Sequence, residues 1–128
     1  MSIRVFVPRD TTALALQADA VAQAIMAEAA RRSIALTLVR NGSRGAFWLE
    51  PLVETEAGGD RQAFGPVSPA DVPRLFDNGF PENCRDALAL GPADEIPWLQ
   101  RQQRLTFARA GLGDPLSIED YRSLGGFT

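Results

Sequence analysis

Few side chains in the 128-residue sequence are of the types that carry out chemistry. Cys84 is the single cysteine, and no histidine is present. The chain therefore cannot form an intramolecular disulfide or a dithiol redox centre, and it cannot hold an iron–sulfur cluster with four thiolates of its own. These absences argue against an enzyme, because histidine is the commonest general base. Cys84 beside Arg85 could be a redox-sensing thiol, but a cysteine without such a role is the commoner case.

Two further groups have possible ligand-binding chemistry. Residues 41–45 (NGSRG) follow a predicted strand, and their backbone N–H groups could bind an anion with help from Arg44. The spacing of a phosphate-binding glycine loop is missing, which favours a plain turn. Glu50, Glu54 and Glu56 alternate along a predicted strand and could form a weak cation site, although alternating charge is more typical of a solvated strand face.

Arginine and tryptophan residues suggest surfaces for partners. Arg101, Arg104 and Arg109, interleaved with Phe107, resemble a small nucleic-acid patch. However, 16 acidic residues outnumber 13 basic ones and give a net charge of −3, which argues against nucleic acid. The sequence instead predicts a salt-bridged surface or a docking site for an acidic partner. Both tryptophans are predicted to lie in the core, since an exposed tryptophan would indicate a protein interface.

The elements that position these residues follow from periodicity. Strands are predicted at residues 3–7, 35–39, 47–53 and 61–65, with a hairpin tip at residues 58–60. One helix should begin at Thr12 and run to about Arg32, and a second should begin at a Ser68 cap and end at residues 78–79. This order predicts an α/β fold of the thioredoxin-like kind, with two helices on a four-stranded mixed sheet, over residues 1–80.

A C-terminal extension is predicted to follow the sheet domain, and its first part, residues 81–110, should be a proline-rich connection with short elements. Three prolines in residues 81–97 favour an extended connection without helix or strand. A short helix at residues 95–102 and a short strand at residues 105–108 should follow. Residues 111–128 should contain a helix capped by Ser117 that ends at residues 125–126. With no apolar run long enough to span a bilayer and no signal peptide, the chain is predicted to be cytoplasmic.

Two stretches carry a family resemblance. Residues 114–126 have the pattern D-P-x-S-x-E-D-Y-x-x-x-G-G, which resembles the segment leading into the flavin domain of NADH-oxidising flavoprotein subunits. These include the flavoprotein subunit of respiratory complex I and its relatives in hydrogenases and formate dehydrogenases. Residues 39–51 and 64–67 are similar to the beta subunit, which binds FMN and NADH, of NAD-dependent formate dehydrogenases. The resemblance implies that residues 1–128 are the N-terminal domain of such a subunit, cut off as its flavin domain begins.

The resemblance also implies what this domain lacks. Related thioredoxin-like ferredoxins hold a [2Fe-2S] cluster with a cysteine pair after the first strand and a C-x3-C pair after the second. The second pair maps onto Asn41 and Gly45, and residues 9–14 supply no cysteine for the first. We therefore expect no cofactor, metal or catalytic residue in this chain. FMN, NAD and a [4Fe-4S] cluster would belong to later domains of the parent subunit, whose reaction is the oxidation of formate to CO2 with reduction of NAD.

The implied role is structural docking. The expected partners are the flavin domain of the same subunit and other formate dehydrogenase subunits, including one with an intact [2Fe-2S] thioredoxin-like module. The alternative is a stand-alone thioredoxin-like interaction module without redox activity. A thioredoxin-type enzyme would need a cysteine in residues 8–12, which contain none.

Overall fold

The computed structural model describes residues 3–105 and 108–127. Within these residues the strands are β1 Ile3–Phe6, β2 Leu36–Val39, β3 Val53–Ala57, β4 Asp60–Phe64 and β5 Ala89–Pro92. The helices are α1 Thr11–Ala15, α2 Ala18–Arg31, α3 Val72–Asp77, α4 Pro97–Gln100 and α5 Ile118–Ser123. Short 3-10 turns cover Phe47–Leu49, Pro69–Asp71 and Ala93–Glu95. No helix in this part of the chain is long and apolar enough to cross a membrane.

The strands form one mixed sheet in the order β2-β1-β3-β4-β5. β1 and β2 are parallel, with Val5 opposite Leu38, as the predicted β-α-β unit requires. The remaining neighbours are antiparallel. Gly58 and Gly59 join β3 to β4 with φ values of 68° and 98°, which confirms the predicted hairpin tip.

The sheet has five strands, so the prediction of four strands is wrong. The additional strand, β5, lies in the proline-rich stretch where neither helix nor strand was predicted. It is only 4 residues long and lies at the sheet edge, where Pro92 is tolerated despite having no N–H to donate. Its sequence, ALGP, includes glycine and proline, which are depleted in strands, and this explains why the sequence did not reveal it.

Two other elements differ from their predictions. The helix predicted from Thr12 is divided into α1 and α2 at Gln17, whose φ of 73° is left-handed. The apolar periodicity continues across the break, because Ala13 and Ala18 are both buried. The third strand begins at Val53 rather than Phe47, which lies in a 3-10 turn. The strand predicted at residues 105–108 includes residues 106 and 107, which lie outside the described residues.

Helix ends follow the predicted capping chemistry. Ser68 and Asp71 form a capping box ahead of α3, and Gly79, with φ of 105°, follows its end. At α5, Ser117 Oγ accepts a hydrogen bond from the backbone N–H of Asp120 at 3.1 Å. The predicted helix at residues 95–102 corresponds to α4 and the 3-10 turn before it.

The main core lies between one face of the sheet and helices α2 and α3. Its buried side chains include Val5, Val7, Val53 and Phe64 from the strand side, and Val21, Ile25, Leu75, Phe76 and Phe80 from the helix side. Alternation along the strands points the intervening residues to the opposite face, which is largely polar. A second, smaller apolar cluster is made by Leu52, Ala63, Ala93 and Ile96.

Candidate functional site

The loops that follow β1 and β2 meet at one edge of the sheet. Because these strands are parallel, their carboxyl ends lie side by side. The backbone N–H of Arg9 donates to the carbonyl of Asn41 at 3.2 Å, and the N–H of Ser43 donates to Asp10 Oδ2 at 2.9 Å. The structure therefore brings together the two stretches, residues 9–14 and 41–45, that the sequence singled out.

Asn41 and Gly45 occupy different environments within this edge. Asn41 is 1% exposed, and its Nδ2 donates to the carbonyl of Gly111 at 2.9 Å. Its Oδ1 has no hydrogen-bond partner among the described residues. Gly45 has φ of 88° and donates its N–H to Ser43 Oγ at 3.0 Å. This local hydrogen bond and the left-handed φ fit the predicted turn.

Residues 108–127, which we call the C-terminal strap, lie over this edge and over the polar face of the sheet. Arg61 donates Nη1–H to the carbonyl of Gly111 at 2.6 Å and a second hydrogen bond to the carbonyl of Leu112. Arg9 Nη2 pairs with Asp114 Oδ1 at 2.6 Å. These contacts, with that of Asn41, fix the strap through polar atoms, while Leu112 and Leu124 are half-buried. A Cβ at Gly111, whose φ is 84°, would lie 2.6 Å from Cγ of Arg44, so the close approach requires glycine.

A ladder of ion pairs supports the strap from the sheet. Glu54 Oε2 accepts from Arg44 Nε at 2.8 Å, and its Oε1 accepts from Arg44 Nη2 at 2.9 Å and from Arg61 Nη1 at 3.4 Å. Arg61 also pairs with Glu56 at 3.2 Å, and its guanidinium lies 3.5 Å from the ring centroid of Phe6. The prediction of a solvated glutamate face is wrong for Glu54, which is 1% exposed because two arginines cover it.

The three glutamates do not converge on one point. Glu50 lies outside β3 and accepts from Ser43 Oγ at 2.6 Å, whereas the other two pair with arginines. Burial raises the pKa of Glu50 above its ordinary value, although the hydrogen bonds from Ser43 and from the N–H of Leu52 oppose the change. Over residues 3–105 and 108–127, the structure places no three His, Cys, Asp or Glu side chains where they could hold a metal ion together.

Cys84 lies apart from these loops, beside α3. Its Sγ donates to the carbonyl of Leu75 at 3.5 Å. Burial raises the pKa of the thiol, and the charge of Asp86 raises it further. Thiolate reactivity requires the opposite shift, so this environment does not support the redox-sensing interpretation.

Both tryptophans are exposed, and the prediction that they lie in the core is wrong. Trp48 is 58% exposed and Trp98 is 53% exposed, and their rings meet edge to face with centroids 5.6 Å apart. With Phe47, 55% exposed, they form what we call the aromatic patch. Each tryptophan precedes a leucine, Leu49 or Leu99, that packs into the second apolar cluster. Neighbouring residues of a helical turn point in different directions, and here the leucines point to the cluster while the tryptophans point outward.

The predicted arginine patch is only partly described, because Phe107 lies outside the described residues. Arg104 Nη2 donates to the carbonyl of Arg44 at 2.5 Å, and the guanidinium of Arg109 lies 5.0 Å from the ring centroid of Tyr121. Neither of them, nor Arg101, pairs with a carboxylate among the described residues. The alternative of a salt-bridged surface is thus not what this part of the chain forms.

Comparison with known proteins identifies the fold. No protein-family model and no curated protein matches the sequence. Among solved structures, a thioredoxin-like [2Fe-2S] ferredoxin from Aquifex aeolicus matches with a TM-score of 0.58 and 18% sequence identity, over 72% of this chain and 93% of the ferredoxin. A structure of the wild-type thioredoxin-like [2Fe-2S] ferredoxin from Aquifex aeolicus matches with a TM-score of 0.50 and 20% identity, over 61% of this chain and 84% of the other. At these identities the likeness establishes the fold alone, and that fold is thioredoxin-like.

Proposed function

We propose that this chain is a thioredoxin-like docking module of the NADH:FMN oxidoreductase subunit of a NAD-dependent formate dehydrogenase. Its fold is that of ferredoxins named for a [2Fe-2S] cluster. Its sequence resembles the entry segment of flavoprotein subunits at residues 114–126. In this role the module holds other parts of an electron-transferring enzyme in position and performs no redox step itself.

The residues present do not fit a [2Fe-2S] cluster. Such a cluster is held by four ligands, usually cysteine thiolates, and this chain has one cysteine. Cys84 contacts Leu75 beside α3, away from the loops that follow β1 and β2. The side-chain atoms that those loops offer are oxygens and nitrogens rather than sulfur, and Asp10 Oδ2, Asn41 Nδ2 and Ser43 Oγ already form hydrogen bonds within the chain.

One observation carries the proposal: the C-terminal strap lies on the loops that follow the two parallel strands. The Asn41–Gly111 hydrogen bond and the Arg9–Asp114 ion pair fasten the strap to the loop after each of the two parallel strands. Loops fixed in this way suit a domain that acts as a rigid scaffold. A scaffold without reactive groups contributes to an enzyme by binding its neighbours.

The alternative, a stand-alone interaction module, is favoured by a different observation. The aromatic patch exposes three aromatic side chains, and tryptophan is among the residue types enriched in the energetic centres of protein interfaces. Such a surface requires a partner but does not identify formate dehydrogenase. The identity of the partner therefore distinguishes the two functions.

The test has two parts, both with the purified 128-residue chain. First, anaerobic incubation with ferrous iron and sulfide is followed by iron analysis and visible spectroscopy. We expect no stoichiometric iron and no cluster absorption, and uptake of a cluster would contradict the clusterless scaffold. An authentic thioredoxin-like ferredoxin, treated identically, is the positive control.

Second, calorimetry measures binding to the separately purified flavin domain and to the [2Fe-2S] subunit of a formate dehydrogenase from the same source. We expect saturable binding to at least one of them. Thioredoxin, which shares the fold but has no role in the complex, is the matched control in place of this chain. Failure to bind any formate dehydrogenase subunit would reject the proposal and favour the stand-alone module.

A further inference from the structure

The C-terminal strap has an unusual distribution of polar and apolar side chains. Its inner side hydrogen-bonds to the rest of the chain through backbone carbonyls and Asp114, and two leucines, Leu112 and Leu124, are half-buried. Its outer side exposes large apolar residues: Leu116 is 78% exposed, Ile118 is 63% exposed and Phe127 is 77% exposed. A segment that folded only for this domain would place such residues inward.

Helix α5 is not stabilised by a core of its own. It has 6 residues, and none of them is buried. Isolated helices shorter than about 12 residues are marginal in water, and most helices gain stability by packing an apolar face. Tyr121 packs edge to face on Phe127 with centroids 4.9 Å apart, which orders the outer face but leaves it uncovered among the described residues.

The charges on this outer face are mainly basic. The guanidinium of Arg109 lies 5.0 Å from the ring of Tyr121, and that of Arg122 lies 5.9 Å from the ring of Phe127. Neither arginine pairs with a carboxylate in the described part of the chain. The exposed acidic residue of α5 is Glu119.

Arginines in the first part of the chain behave differently. Each of those up to residue 80 forms an ion pair with a carboxylate: Arg4, Arg9, Arg31, Arg32, Arg40, Arg44, Arg61 and Arg74. Arg85, Arg101 and Arg104 also lack a carboxylate partner among the described residues, but only Arg109 and Arg122 lie in the strap, beside its exposed aromatic rings. A two-fold contact between copies would bring these cations together, which disfavours self-association.

We infer that the outer face of the strap, formed by Leu116, Ile118, Tyr121 and Phe127 with Arg109 and Arg122, docks on an apolar protein surface bordered by carboxylates. Resting on the proposed function, the occupant is the flavin domain of the parent subunit. Apolar contact then supplies most of the affinity, and the two arginines supply orientation and salt dependence.

The first test removes apolar contact. The variant Leu116→Ser with Ile118→Ser is titrated against the purified flavin domain and compared with Leu14→Ser with Met26→Ser. The control pair, 43% and 42% exposed, lies on the opposite helical layer. We expect the Kd to rise at least about tenfold for the strap variant, because each side chain loses on the order of 1 kcal/mol of apolar burial. The control pair should leave the Kd unchanged.

The second test reverses charge. The variant Arg109→Glu with Arg122→Glu should weaken binding at low ionic strength and lose the salt dependence of the wild-type chain. Arg85→Glu changes an exposed arginine that also has no carboxylate partner among the described residues, but lies away from the strap. It should bind as the wild-type chain does.

The outcomes separate this inference from the proposed function. If the flavin domain binds all variants with equal affinity, the face is wrong and the docking function stands. If only another formate dehydrogenase subunit binds, the inferred occupant is wrong. If no subunit binds, both proposals fail. If sedimentation shows that the strap face of the wild-type chain joins two copies of this chain, the inferred heterologous partner is rejected.

Discussion

Replacing Glu54 by glutamine tests the ion pairs on the polar face of the sheet with a single substitution. Glu54 is 1% exposed and lies between Arg44 and Arg61, whose side chains are 9% and 11% exposed. Glu54→Gln keeps the shape of the side chain but removes the negative charge that balances the two cations.

The size of the effect follows from this burial. Breaking a buried ion pair on one side costs about 3–5 kcal/mol, because the partner charge is left without compensation. A domain of this size has a free energy of unfolding of about 5–15 kcal/mol, so the loss is a large fraction of it. Glu56→Gln is the matched control: Glu56 has a 20% exposed side chain and pairs with the half-exposed Arg4 as well as with Arg61. Water screens the change at this site, and Arg61 keeps Glu54 as a partner.

Urea denaturation followed by tryptophan fluorescence measures both variants. We expect the free energy of unfolding to fall by about 3 kcal/mol or more for Glu54→Gln and by about 1 kcal/mol or less for Glu56→Gln. Adding Arg44→Met to Glu54→Gln should restore part of the loss, because one buried cation is removed. Equal losses in the two single variants would refute the reasoning, as would a double variant less stable than Glu54→Gln alone.

Four further outcomes are expected. Arg61→Met should raise amide hydrogen exchange throughout the C-terminal strap by about tenfold or more, since charge-assisted hydrogen bonds contribute about 1.5–3 kcal/mol; unchanged exchange would contradict its anchoring role. Trp48→Ala should lower the free energy of unfolding by less than about 1 kcal/mol, and Leu52→Ala, at a 3% exposed position, by about 2–5 kcal/mol, in urea titrations. Hydrogen bonds from Arg31 and then Arg32 lower the pKa of Glu28 from 4.5 to about 2. Its contribution to stability is therefore present above pH 4.5 and lost as the pH falls towards 2, so Glu28→Gln should flatten the pH dependence of the urea midpoint in that window. Cys84, with its raised pKa, should be alkylated by iodoacetamide more slowly than free cysteine at neutral pH, and a faster rate would reject the burial argument.

Local signals were sufficient for much of the fold. Alternation in β1 and β2, the glycine pair at the hairpin tip, and the serine caps at Ser68 and Ser117 depend on residues close in sequence, and the structure confirms each of them. The thioredoxin-like class followed from their order. The fifth strand did not, because pairing between Phe64 and Ala89 is a tertiary event with no local pattern.

The site was less accessible to sequence reasoning. Asn41 and Gly45 were found through resemblance, but nothing near them in sequence indicates that Gly111, 70 residues after Asn41, covers the loop. Charge alternation at Glu54 and Glu56 is compatible with water or with arginine partners, and only the tertiary fold decides between them. The exposed tryptophans show the same limit, since size and hydrophobicity predict burial on average but a binding surface reverses the rule.

The buried ion pairs explain how the strap can lie on a polar face of the sheet. Carbonyls pressed against the sheet lose water, and a buried carbonyl without a donor costs about 1–3 kcal/mol. Arg61 donates to Gly111 and Leu112 while Glu54 and Glu56 hold its guanidinium. An apolar sheet face would leave those carbonyls unpaired. Because buried ion pairs often stabilise a fold no better than apolar residues of equal volume, the hypothesis that follows is that the ladder serves to fix the strap. With the strap fixed through its carbonyls, its apolar side chains remain exposed for contact with a surface outside the domain. The hydrogen-exchange measurement on Arg61→Met tests whether the ladder fixes the strap.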